Sequence, residues 1–109
     1  MKLIRSIVHP DKVEEVKRAL SNIAVSWLTV TQVSDHNPSG SHTMMWRGHR
    51  YDVGALRMEI DVAVDDDDVD QVVDVIIKTA RTGARDDGYV SVIPVEGRYE
   101  IRTGRRAVS

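Results

Sequence analysis

The chain has 109 residues, a formal net charge of −2, and neither cysteine nor phenylalanine. A chain of that length holds one core, burying about 60–70% of its unfolded surface, so a single domain over 1–109 is expected. The missing cysteine excludes disulfide scaffolds, thiolate zinc sites and cysteine nucleophiles and suits a cytoplasmic protein, the acidic balance disfavours nucleic acid, and no apolar run reaches the roughly 20 residues of a membrane insertion.

Lys2 to Val8 is short, rich in branched residues and halted by His9-Pro10, which predicts a strand. Asp11 with Glu14 three residues on has the form of a capping box. Val13, Val16, Leu20 and Ile23 then recur at helical spacing. Leu28 to Val33, dense in Val and Thr, predicts a second strand. From Ser34 to Gly54 periodicity vanishes, and a loop of this length is usually functional or disordered. Leu56, Met58, Ile60, Val62 and Val64 alternate with Arg57, Glu59, Asp61 and Ala63, predicting a strand with one buried and one polar face. Asp65 to Asp68 leads into Val69, Val72, Val73, Ile76, Ile77 and Ala80, a second amphipathic helix ended by Gly83. Tyr89 to Val95 predicts a fourth strand and Tyr99 to Arg102 a short fifth. The order gives an α+β, ferredoxin-like βαββαβ sandwich, with two helices on one face of an antiparallel sheet. So thin a core, under a sheet whose open face also carries apolar residues, points to an oligomer.

The fold decides no function, so the constellations are weighed one by one. The four aspartates 65–68 diverge around a helix start and suit its dipole better than a single cation. His36, His42 and His49, with Met44 and Met45 between them, offer a metal-responsive alternative, although their spacing matches no standard zinc pattern. Trp46, Arg47, Arg50 and Tyr51 form a basic, aromatic loop tip suited to a protein partner or a modifying enzyme. Gly83 and Gly88 permit backbone geometries that present N–H groups to an anion. Neither a Walker loop nor a serine-histidine-acid arrangement is recognisable, and no enzyme is expected.

Several stretches together resemble the PII signal-transduction family, the nitrogen regulatory P-II proteins. They are Met1-Lys2-Leu3-Ile4, Val13 to Leu20, Leu28 to Val33, Gly40-Ser41-His42-Thr43, Trp46 to Tyr51, Ile76 to Gly83, Asp87-Gly88 and Ile101-Arg102-Thr103-Gly104. The resemblance implies a homotrimer with adenine-nucleotide sites in clefts between subunits. It also implies a T-loop, about 34–55, that engages a target protein, and a flexible C-terminal tail from about 103. Positions matching the family's nucleotide contacts are Thr29, Asp87, Gly88 and Arg102. Tyr51 stands where some members carry a nucleotidylated tyrosine, with Arg47 and Trp46 beside it as partner contacts.

The departures from that family shift the expected ligand. The T-loop base Gly-Phe-Gly-Arg-Gln-Lys-Gly is here Asp35-His36-Asn37-Pro38-Ser39-Gly40-Ser41, which replaces the phosphate-contacting arginine by Pro38 and the Mg²⁺-holding glutamine by Ser39. Tyr89 stands for a lysine and Glu100 for an arginine. Charge-assisted bonds contribute about 1.5–3 kcal/mol each, so losing three disfavours a triphosphate. The expected effector is ADP or AMP, bound at least as tightly as ATP, with no enhancement by 2-oxoglutarate. Target classes consistent with the resemblance are a membrane transporter or a metabolic enzyme, in nitrogen, inorganic-carbon or metal transport.

Overall fold

The computed structural model describes residues 1–25, 27–36 and 43–107. Two strands rich in branched aliphatic residues form its centre. β1 (Lys2–Val8) pairs antiparallel with β5 (Ala55–Val64), Ser6 opposite Ile60 and Ile4 opposite Val62. β2 (Thr29–Asp35) lies outside β5 and β6 (Tyr89–Pro94) outside β1, giving the order β2-β5-β1-β6, antiparallel throughout. α1 (Val13–Ser21) and α2 (Val69–Ala80) cover one face. This is the ferredoxin-like arrangement expected from the element order.

The core lies between helices and sheet and is aliphatic. Ile4, Val8, Ile60 and Val62 meet Val16 and Leu20 of α1 and Val72, Ile76 and Ala80 of α2. Burial of every third or fourth helical residue and every second strand residue supplies the periodicity legible in the sequence. On the opposite, open face Arg5 donates to both carboxylate oxygens of Asp61, at 3.1 and 3.2 Å, and lies 3.4 Å from Glu59.

Five details differ from the sequence expectation. Asp11 makes no capping bond; the chain enters α1 through a 3₁₀ turn, Pro10–Lys12, closed by Lys12 N–H to the His9 carbonyl. α2 likewise begins after a 3₁₀ turn of Asp66–Asp68, where Asp66 pairs with the N-terminal amine at 2.8 Å and with Lys2 at 3.2 Å. These two partners hold the Asp66 carboxyl below its usual range, the bond to the amine foremost. In β5, Leu56 is exposed and Arg57 buried, the reverse of the alternation. β1 ends opposite Met58, so Leu56 has only β2 beside it, opposite Ser34.

The loop between β2 and β5 contains an antiparallel hairpin of β3 (Thr43–Trp46) and β4 (His49–Asp52). Arg47 and Gly48 turn it with φ of +51° and +80°, the two positive values of a type I′ turn. The fifth strand is replaced by a turn over 101–103 and a single bridge, Tyr99 to Arg106. In the expected tail, Gly104 N–H donates to the Glu100 carbonyl and Ala107 N–H to that of Arg98, and 108–109 lie outside the described residues.

Candidate functional site

α2 stops at Ala80, and residues 82–88 return the chain to β6. Asp87 organises this return. Its carboxylate accepts the backbone N–H groups of Thr82 and Gly83, both at 2.9 Å, and the Thr82 hydroxyl. The Thr82 hydroxyl oxygen in turn accepts Ala84 N–H at 3.2 Å. These bonds, led by the Thr82 hydroxyl and assisted by nearby His9, hold the Asp87 carboxyl down at about 2. Asp87 therefore shapes the loop from within. Gly83 and Gly88 hold φ of +90° and +98°. At Gly88 a Cβ would stand 1.9 Å from the Ile7 carbonyl oxygen, so the loop lies flush on β1 only because position 88 has no side chain.

A cleft of about 280 Å³ opens beside this loop, between the end of β1, the last turn of α2 and the start of β6; Ile76, Arg81, Asp87, Gly88 and Tyr89 are among its walls. Arg57, the third residue of β5, reaches the same loop. Its guanidinium donates to Asp86 at 2.8 Å and to the Leu56 carbonyl at 2.8 Å, while its Nε is buried without a partner. A salt bridge thus joins the loop before β6 to the strand that leaves the long loop. Sequence reasoning placed Arg57 on a solvated face and missed this role. The partner lies 29 residues away, and no local pattern signals it.

The four sequence-predicted nucleotide contacts are not gathered within one protomer. Asp87 and Gly88 adjoin each other in the loop. Thr29 begins β2 opposite Asp61 and lines a separate cleft of about 340 Å³ on the open face. Arg102 is exposed in the C-terminal turn, and Glu100 lies 3.3 Å from its guanidinium. Pro38 and Ser39, the other altered positions, lie outside the described residues.

In the hairpin, Trp46 and Tyr51 are exposed and the Arg47 guanidinium stands 5.6 Å from the Trp46 ring centre, a cation–π contact. Met44 opposite Tyr51 and Trp46 opposite His49 share one hairpin face. His36 follows β2 and contacts the Ser34 hydroxyl at 3.3 Å, whereas His49 opens β4; His42 lies outside the described residues. No group of three metal-ligating side chains converges among the described residues, and the histidines present stand on separate elements. No helix among them is long and apolar enough to cross a membrane.

Comparison with known proteins agrees with this architecture. Residues 1–105 match the family "Nitrogen regulatory protein P-II". The chain is 41% identical to nitrogen regulatory protein GlnK of Escherichia coli (strain K12) over 105 residues, covering 95% of this chain and 94% of the relative. It is 40% identical to nitrogen regulatory protein P-II of Nostoc punctiforme over 107 residues, 97% of this chain and 96% of that protein. The corresponding protein of Haemophilus influenzae is 39% identical over 105 residues. With the family match spanning almost the whole sequence and the βαββαβ sheet beneath it, this chain belongs to the nitrogen regulatory P-II family of signal-transduction proteins.

Proposed function

We propose that this protein is a cytoplasmic, homotrimeric regulator. It senses ADP or AMP in clefts between protomers and reports it to a target protein through the hairpin of the 34–55 loop. The observation that carries the reading is the Arg57–Asp86 salt bridge, which ties the loop that would receive phosphate to the strand carrying the hairpin. A ligand that moves residues 82–88 moves the root of the effector arm with them.

The charge inventory favours few phosphates. Gly88 holds a left-handed backbone, and because Asp87 already takes the Thr82 and Gly83 N–H groups, few amides of the loop remain for a phosphate. Glu100 offsets Arg102, Asp86 holds Arg57, and Tyr89 brings no cation. A third phosphate would add about one negative charge near Glu100 with little to balance it. Thr29 and Arg102 lie apart from Asp87 and Gly88 in one protomer, which suits a site completed by a neighbouring copy. On the hairpin, Arg47, Trp46 and Tyr51 would meet the target, a membrane transporter or a metabolic enzyme, with Tyr51 open to modification. Cation–π-braced Arg47 is suited to an acidic or carbonyl-lined partner surface.

Calorimetric titration with ATP, ADP and AMP, with and without Mg²⁺ and 2-oxoglutarate, tests the reading alongside light scattering. ADP or AMP should bind at least as tightly as ATP, 2-oxoglutarate should add nothing, and the mass should be near three times 12.2 kDa. Arg102→Ala should weaken binding and Glu100→Arg should shift preference toward ATP. Tight, Mg²⁺-dependent ATP binding that strengthens with 2-oxoglutarate would overturn the choice of effector, and a stable monomer would overturn the composite site.

A further inference from the structure

Trp27 is 84% exposed, more than any other described aromatic side chain. It stands where the chain leaves α1 for β2 and forms a wall of two neighbouring clefts, one of about 470 Å³ and one of about 340 Å³. An indole this bare keeps a large apolar surface in water, which is costly unless something covers it. The two clefts differ in what they would accept. The larger adds Asp65 and Asp68 to the Arg98 that lines both clefts, so its acidic side chains outnumber its one guanidinium. The smaller is floored by Leu3 and Ala63 and holds Thr29, Asp61 and Arg98. There Asp61 is already neutralised by Arg5 through two hydrogen bonds, while Arg98 forms no side-chain ion pair among the described residues. The spare groups in the smaller cleft are thus one flat aromatic face, one hydroxyl and one guanidinium. Its volume lies within the roughly 300–1,000 Å³ of small-molecule sites.

We infer that Trp27 is a specificity-determining residue for the effector: its indole stacks on the purine ring of the nucleotide in the cleft shared with Thr29 and Arg98. This rests on the adenine-nucleotide reading above. An indole matches the area of a purine and gains more from a two-ring base than from a pyrimidine. Arg98 has N–H groups to donate to ring nitrogens, and the Thr29 hydroxyl can accept from an exocyclic amine. Such stacking orients the base without adding charge. It strengthens AMP, ADP and ATP alike, so the choice among them is left to the cations at the phosphates.

Calorimetry of wild type, Trp27→Phe, Trp27→Leu and Trp27→Ala with ADP and with UDP tests this, with light scattering on each variant. Stacking on an aromatic side chain predicts that Trp27→Ala and Trp27→Leu weaken ADP binding about tenfold or more. Trp27→Phe should stay within about threefold and the preference for ADP over UDP should shrink in the Ala and Leu variants. Trp27→Leu guards against a folding defect, because it keeps apolar bulk without the ring. ADP binding that is unchanged in both Ala and Leu variants would overturn the stacking role and leave the nucleotide reading standing. Variants that bind ADP normally but change oligomeric mass would show Trp27 packing against another copy, which also overturns it. Failure of wild type to bind any adenine nucleotide would overturn both.

Discussion

A methyl group at position 88 would have to displace either the Ile7 carbonyl or the whole 82–88 loop, and the φ of +98° adds strain for any L side chain. Unfavourable backbone alone costs of order 1–3 kcal/mol. Gly88→Ala should therefore lower the free energy of unfolding in urea by at least that and abolish nucleotide binding; wild-type stability in this variant would mean the loop has a second comfortable conformation. Asp87 makes a different prediction, because its effect depends on pH. Its carboxyl titrates at about 2 when folded, below the usual range near 3.9 of an unfolded chain. Its contribution is fully present above pH 4 and is lost as pH falls from about 4 through 2. The stability gap between wild type and Asp87→Asn should accordingly be flat from pH 5 to 7 and narrow between pH 4 and 2. A gap that widens on acidification would contradict the bonds to Thr82 and Gly83. Asp87 and Gly88 were legible in the sequence as a family-like pair, but that the aspartate faces inward was not, since only the closed loop shows where its oxygens go.

At the scale of elements, the end of α1 carries an avoidable cost. Ala24 holds φ of +67°, left-handed, while Val25 N–H closes the helix on the Leu20 carbonyl. Glycine adopts that backbone freely, so Ala24→Gly should raise stability by about 1 kcal/mol in urea unfolding. The hairpin is the opposite case, an element with little beneath it. A two-stranded ribbon alone is marginal in water, and the side chains of Met44, Met45, Trp46 and Tyr51 are about half exposed or more. Limited proteolysis with trypsin should cut first at Arg47 or Arg50 and leave a folded remainder; first cuts at Lys17 or Lys78 would contradict the helix assignments. This contrast also explains which elements could be read from sequence. β1, β5 and the two helices bury one face each, and burial imposes the alternation that betrays them. The hairpin buries neither face, so its strands left no period to find. Its one local signal was Arg47-Gly48 set between apolar and aromatic residues. The same reasoning covers the inversion at Leu56 and Arg57, where β5 outruns β1 and the alternation loses the neighbour that gave it meaning.

Over the whole molecule, the radius of gyration is 16.7 Å, against about 13 Å for a compact domain of this length. The chain spans 54 Å along its longest axis and 21 Å along its shortest, a thin body. The body's interior has a property with a practical consequence. Every fully buried side chain in it is aliphatic or, at Ser6, a small hydroxyl. The five aromatic residues, two tryptophans and three tyrosines, are exposed at Trp27, Trp46, Tyr51, Tyr89 and Tyr99. The isolated protomer is therefore nearly blind to its own unfolding in ultraviolet emission and near-ultraviolet dichroism, because its chromophores sit in water before and after the core is lost. What those chromophores would register, on the proposed reading, is arrival: of a base beside Trp27, of a target at the hairpin, or of a second protomer. With every aromatic side chain exposed, folding has to be followed by the far-ultraviolet backbone or by heat, which leaves the optical signal free to test the proposed ligation and assembly.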